Sequence, residues 1–123
     1  MYRKILFAAM ILISTVSFAQ SQNDIIIGKW KDDAGDRTIE FVKTDAGYNA
    51  IIRTAEDASL VGKIQISHLQ KKDATHYING TLYIITKNKM AKCSVEADSN
   101  NELVITGKMG MFSKSQKWTR VDD

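Results

Sequence analysis

From residue 25 onward, apolar and polar positions alternate in short runs, and clusters of turn-forming residues separate the runs. Ile25 to Lys31 is rich in β-branched residues and reads as a first strand. Arg37 to Lys43 puts Ile39 and Phe41 on one face and Thr38 and Glu40 on the other. Tyr48 to Arg53 repeats the pattern with Tyr48, Ala50 and Ile52. A period of two is the mark of a half-buried strand. Between these runs lie Asp32-Asp33-Ala34-Gly35-Asp36 and Thr44-Asp45-Ala46-Gly47, compositions that reverse a chain. Leu60 to Ser67 alternates again, with Leu60, Gly62, Ile64 and Ile66 sharing a face. Leu82 to Thr86, Met90 to Ala97 (Ala91, Cys93, Val95 and Ala97 on one side) and Glu102 to Thr106 follow. Gly107 to Gly110 reads as a tight turn into a closing strand. On that strand Gln116, Trp118 and Arg120 are two residues apart and leave the same face.

Two stretches interrupt the alternation. Thr54 to Ser59 holds at most one helical turn, too short to anchor a fold. His68 to Tyr77, centred on Lys71-Lys72-Asp73, reads as an exposed irregular loop, and Asn79-Gly80 as a turn or bulge. Eight strands joined by short connections, with no helical period, repeat or linker, predict an all-β fold: an eight-stranded antiparallel up-and-down (meander) barrel. Proline, a common protector of sheet edges, is absent from the chain. Closure of the sheet removes those edges, which favours a barrel over an open sandwich.

Composition adds a compartment. Arg3 and Lys4 precede a twelve-residue apolar run, Ile5 to Val16, and Ser17-Phe18-Ala19 supplies the small residues of a cleavage site. A run this short does not span a bilayer, so residues 1–19 are expected to be a signal peptide and Gln20 the mature start. The expected protein is exported, periplasmic or secreted, with no membrane span after cleavage. Residues 20–123 then form a single barrel domain with its core in 24–121. Cys93 is the one cysteine, so no internal disulfide staples this domain. Residues 20–62 carry five bases and eight acids, residues 63–120 ten bases and four acids. Lys63, Lys87, Lys92 and Lys117 of the basic half are assigned to a solvated outer wall. No aromatic–basic interleaving marks a nucleic-acid partner.

Gly28-x-Trp30 on the first strand and Arg120 on the last resemble the structural signature of the calycin superfamily, which includes lipocalins and avidins. That resemblance implies a Trp packed across the barrel floor beneath a cation from the last strand. The chain also resembles the family of small bacterial exported proteins called domain of unknown function 2147. The resemblance is carried by Gly28-Lys29-Trp30, Leu60-Val61-Gly62 and Asn79-Gly80-Thr81-Leu82-Tyr83. It is strongest at Leu103-Val104-Ile105-Thr106-Gly107 and at Ser115 to Val121, and it covers nearly the whole mature chain. Two departures stand out. Where the family carries an Asp- and Pro-containing insert, this chain has only Ala55 to Ser59. Ile84-Ile85 replaces an Asp-Pro after the residue matching Tyr83.

Gly28, Trp30, Trp118 and Arg120 are expected to close the barrel. Trp30, Tyr48, Tyr83, Gln116, Trp118 and Arg120 are the candidate ligand-binding residues, with Tyr48, Tyr77 and Tyr83 available to line a mouth. His68 and His76 stand eight apart with no Cys or carboxylate at ligand spacing, so no metal or cofactor is expected. Cys93 sits among small apolar residues and reads as buried and inert. No nucleophile elbow, phosphate-cradling glycine loop or Cys-x-x-Cys motif is present. The expected function is a non-enzymatic binder of a small amphipathic or anionic ligand, monomeric or weakly dimeric. The alternative is a cell-envelope interaction or stress protein that binds another macromolecule through its outer wall.

Overall fold

Eight strands follow one another around a closed barrel in chain order, each antiparallel to the next, in a computed structural model that describes residues 24–121. The expected signal peptide and mature start lie outside the described residues. The strands are β1 (Gly28–Asp32), β2 (Thr38–Thr44), β3 (Gly47–Thr54), β4 (Ile64–Lys71), β5 (His76–Ile84), β6 (Lys89–Ser99), β7 (Glu102–Met109) and β8 (Phe112–Arg120). The ends of the chain meet: Trp30 pairs with Arg120 and Asp32 with Trp118, which closes the cylinder.

Alternation delivers the core. Ile39 and Phe41 of β2, Tyr48, Ala50 and Ile52 of β3, and Ala91, Cys93, Val95 and Ala97 of β6 are all buried, while Lys92 and Glu96 stay exposed. Lys63, Lys92 and Lys117 are exposed and do not line the cavity at the barrel's open end, whereas Lys87, also exposed, borders that cavity rather than the outer wall. The barrel has two unlike ends. The β2–β3, β4–β5 and β6–β7 connections surround one end, together with residues 24–27. The β1–β2, β3–β4, β5–β6 and β7–β8 connections surround the other.

The structure corrects five local expectations. The first strand begins at Gly28 rather than Ile25, and residues 25–26 form a turn ahead of it. The region 68–77 is mostly strand, and only residues 72–75 connect β4 to β5. Bulges explain why the alternation failed there. His68 (φ 59°) and Asn79 (φ 63°) sit in left-handed conformations, so Ile66 and Leu69, and likewise Tyr77 and Gly80, are three apart and still buried. Asn79-Gly80 is thus a bulge inside β5, where a Cβ on Gly80 would come within 2.8 Å of Leu69 Cδ1. Leu60 belongs to a 3-10 turn, Ala58–Leu60, rather than to β4. Asp57 caps that turn by accepting from the Ser59 N–H at 3.0 Å, and β4 begins only at Ile64, which is exposed. At the chain's end, β7 runs through Gly107 to Met109, so the reversal is at Gly110-Met111, with Gly110 at φ 58°. Leu82 lies within β5, which stops at Ile84, and Ile85–Lys87 forms a second 3-10 turn.

Candidate functional site

The end carrying residues 24–27 is sealed. Trp30 is fully buried and donates from Nε1 to the Ile26 carbonyl at 2.9 Å. The Arg120 guanidinium lies 4.2 Å from the Trp30 ring centroid. It also donates to the carbonyls of Ile25 (2.6 Å), Ile27 (3.0 Å) and Asn100 (2.6 Å). A planar fork with five donors suits this task, because it can face a ring and hold several carbonyls at once. Gly28 (φ 126°) makes room for it, since a Cβ there would lie 2.8 Å from Arg120 Nη1.

Beside this clamp, Tyr48 and Tyr77 meet edge to face with centroids 5.3 Å apart. Asp24 accepts from the Tyr48 hydroxyl and from Lys71 Nζ, the latter at 2.8 Å. Burial opposes charge on Asp24, yet the hydrogen bonds from Lys71 and Tyr48 and the nearby ammonium groups outweigh it and hold the carboxyl below its usual range. Burial, with the hydrogen bond to Asp24, raises the Tyr48 phenol. Asp24, Tyr48, Lys71 and Arg120 are therefore engaged with the chain itself, while the buried Tyr77 hydroxyl has no hydrogen-bond partner among the described residues.

The opposite end is open. A cavity of about 960 Å³ descends between the four hairpin connections. Its walls are apolar at depth (Ile39, Ile66, Leu82, Ala91, Ile105 and Trp118) and charged at the rim. Trp118 is 6% exposed, and its Nε1 is buried with no hydrogen-bond partner. Gly107 also keeps the cavity open: a Cβ there would lie 2.9 Å from Leu82 Cδ2. Arg37 bridges to Gln65 at 2.6 Å, and Gln65 in turn donates to the Tyr83 carbonyl at 2.6 Å, which ties the rim across strands.

The rim charges are not equivalent. Asp32 accepts from the backbone N–H groups of Asp36 and Arg37, and Asp57 caps its own turn, so both are committed locally. Lys87, Lys114 and Gln116 border the cavity, and their side chains make no hydrogen bond or ion pair among the described residues.

The six candidate binding residues therefore separate. Gln116, Trp118 and Tyr83 border the cavity, although the Tyr83 hydroxyl is engaged with Ser67 Oγ at 2.9 Å. Trp30, Tyr48 and Arg120 belong to the sealed floor, away from the cavity wall, and Tyr77 joins them there rather than at a mouth. Sequence reasoning missed Arg37, Gln65, Lys87 and Lys114. The last could have been found, because Lys114 lies two residues before Gln116 and shares its face. Among the described residues no group of three His, Cys, Asp or Glu side chains is placed to hold a metal ion. Burial pushes the Cys93 thiol up to about 12.

A closed eight-stranded meander barrel with one end floored by a Trp under an Arg and the other open is lipocalin-like in architecture. The chain belongs to the family described as an uncharacterized protein conserved in bacteria (DUF2147), whose profile matches residues 28–120. It is similar in fold to a solved structure, protein HP1028 from the human pathogen Helicobacter pylori, which is described as belonging to the lipocalin family. The two share 19% sequence identity with a TM-score of 0.65, over 80% of this chain and 84% of the other. No curated protein sequence matches.

Proposed function

We propose that this protein is an exported, non-enzymatic binding module that carries a small amphipathic molecule in the open end of its barrel. The observation that carries the reading is the cavity, about 960 Å³ with an apolar interior, at the upper end of the size typical for small-molecule sites. An aliphatic or aromatic body would lie against Ile66, Leu82, Ala91 and Ile105 and reach toward Trp118. An anionic head would stay on the side of the rim that carries Lys87 and Lys114, which have no protein counter-charge among the described residues, opposite the carboxylates Asp32, Asp36, Glu56 and Asp57. Gln116 would supply a neutral donor and acceptor beside the head. Trp30, Tyr48 and Arg120 would act through the floor they build. Likeness in fold to a lipocalin-family protein agrees with this reading.

Titration with dansyl-undecanoic acid, a fluorescent fatty acid, tests it. Saturable one-to-one enhancement is expected, together with an about tenfold weaker response in Ala91→Phe, which narrows the deep end of the cavity. Absence of saturable binding, or equal binding by Ala91→Phe, would reject it. The envelope-protein alternative would then stand, and cross-linking in the native envelope would examine it.

A further inference from the structure

The large apolar side chains exposed on this barrel are concentrated at one end. Val61, Ile64, Met90, Met111 and Phe112 all lie in or next to the connections around the open mouth. Met111 is 99% exposed and Phe112 83%, side by side at the tip of the β7–β8 hairpin. Isolated exposed apolar residues are ordinary, but a concentration at one end is a signature of contact with something apolar.

Charge identifies the contact. Residues 85–95 and 103–117 contain six lysines and no acid. Four of them, Lys87, Lys89, Lys108 and Lys114, are exposed on the two hairpins that carry Met90, Met111 and Phe112. The rim carboxylates Asp32, Asp36, Glu56 and Asp57 lie on the other two connections. The half formed by these two hairpins thus carries Met90, Met111 and Phe112 with basic charge alone, whereas the other half is net acidic, with Arg37, Lys63, Val61 and Ile64 among its carboxylates.

We infer that the β5–β6 and β7–β8 hairpins form a docking surface for an anionic lipid bilayer. Met111 and Phe112 enter the headgroup boundary, and the lysines pair with lipid phosphates around them. The acidic half tilts away from the surface by repulsion, so the barrel leans onto its β7–β8 edge and the mouth stays next to the lipid. A two-residue tip that protrudes from its surroundings fits a yielding bilayer better than the flat face of a folded partner. The inference goes beyond ligand binding and stands independently of it, since docking requires only the rim. If both hold, the cavity can exchange an amphipathic molecule with the membrane without passage through water.

Co-sedimentation with vesicles of equal parts phosphatidylglycerol and phosphatidylcholine, against vesicles of phosphatidylcholine alone, tests the inference. Binding is expected to the anionic vesicles only, and to fall with added salt. The double variant Met111→Ser/Phe112→Ser should bind about tenfold less well. Lys89→Gln and Lys108→Gln should each lose about fivefold, the equivalent of about 1 kcal/mol per basic residue near an anionic surface. All substituted side chains are exposed, so the fold should be kept, and circular dichroism verifies this. Equal binding to both vesicle types, or undiminished binding by the double serine variant, overturns the inference. So does concentration-dependent dimerisation that the same double variant abolishes, since it would show a second copy of the chain to be the true occupant. Dansyl-undecanoic acid titration without vesicles separates the two readings, because Met111→Ser and Lys89→Gln, whose side chains do not line the cavity, should still bind the probe.

Discussion

Arg120 offers the sharpest test of how the sealed end is held. Truncation by Arg120→Ala removes three hydrogen bonds to carbonyl oxygens and the cation over Trp30. The bond to Asn100 is exposed, water replaces it readily, and its contribution is small. The bonds to Ile25 and Ile27 are part-buried and each contributes about 1 kcal/mol net. The cation–π contact adds about 1 kcal/mol, between the exposed and desolvated limits. The expected loss is about 3 kcal/mol, a large share of the roughly 5–15 kcal/mol by which a domain is stable. Urea unfolding followed by tryptophan fluorescence reads it directly. With a denaturant slope of about 1–1.5 kcal/mol/M, the midpoint should fall by about 2–3 M. Arg120→Lys should recover less than half, because an ammonium can keep the charge near Trp30 but cannot span the same carbonyls. Folded Arg120→Ala protein should still bind a cavity ligand with unchanged affinity. A loss below about 1 kcal/mol, or a lysine variant equal to wild type, would show that the clamp is not what holds the floor.

Three further outcomes are expected. Gly47→Ala should cost about 3 kcal/mol or more by urea unfolding, because Gly47 sits at φ 133° and an added Cβ would lie 2.4 Å from the Leu69 carbonyl oxygen; a near-neutral variant would contradict the β2–β3 geometry. Burial keeps the Cys93 thiol protonated at neutral pH, so iodoacetamide should label the native protein far more slowly than the urea-unfolded one, and comparable rates would place the thiol elsewhere. Asp24 has a lowered carboxyl pKa in the fold, so its contribution is complete above the ordinary carboxylate value and is lost as pH falls through the lowered one. The stability gap between wild type and Asp24→Asn should therefore be open at neutral pH and close as pH drops below about 4; a gap independent of pH would remove Asp24 from the floor.

The barrel was legible wherever a strand kept a period of two. Ile39 and Phe41, then Tyr48, Ala50 and Ile52, announced their inward face without any tertiary information, and Gly28-x-Trp30 with Arg120 announced the closure. Legibility failed where the backbone broke period. His68 and Asn79 each add a residue to a strand, which shifts the buried set from a spacing of two to three. An alternation reading takes that for a loop. Leu60 was misplaced because a side-chain cap at Asp57, a local hydrogen bond, overrides the pattern of the following strand. The candidate site was half legible for a different reason. A face is a local property, so Gln116, Trp118 and Arg120 were correctly put on one side of β8. Depth along the barrel axis is not local, and it separates Gln116 and Trp118 at the cavity from Arg120 at the floor. Arg37 and Lys87 reach the cavity from connections, where periodicity carries no information about direction.

The two tryptophans provide the most direct test of the central claim that the open end, not the sealed one, receives the ligand. Trp30 Nε1–H is bonded to the Ile26 carbonyl, whereas Trp118 Nε1–H is unpartnered at the base of the cavity. Their indole N–H resonances in a proton–nitrogen correlation spectrum, assigned with Trp118→Phe, can be followed while dodecanoate is added to the wild-type protein. The Trp118 signal should move progressively to saturation while that of Trp30 stays in place. Movement of Trp30 with Trp118 unchanged, or stillness of both, would contradict the account.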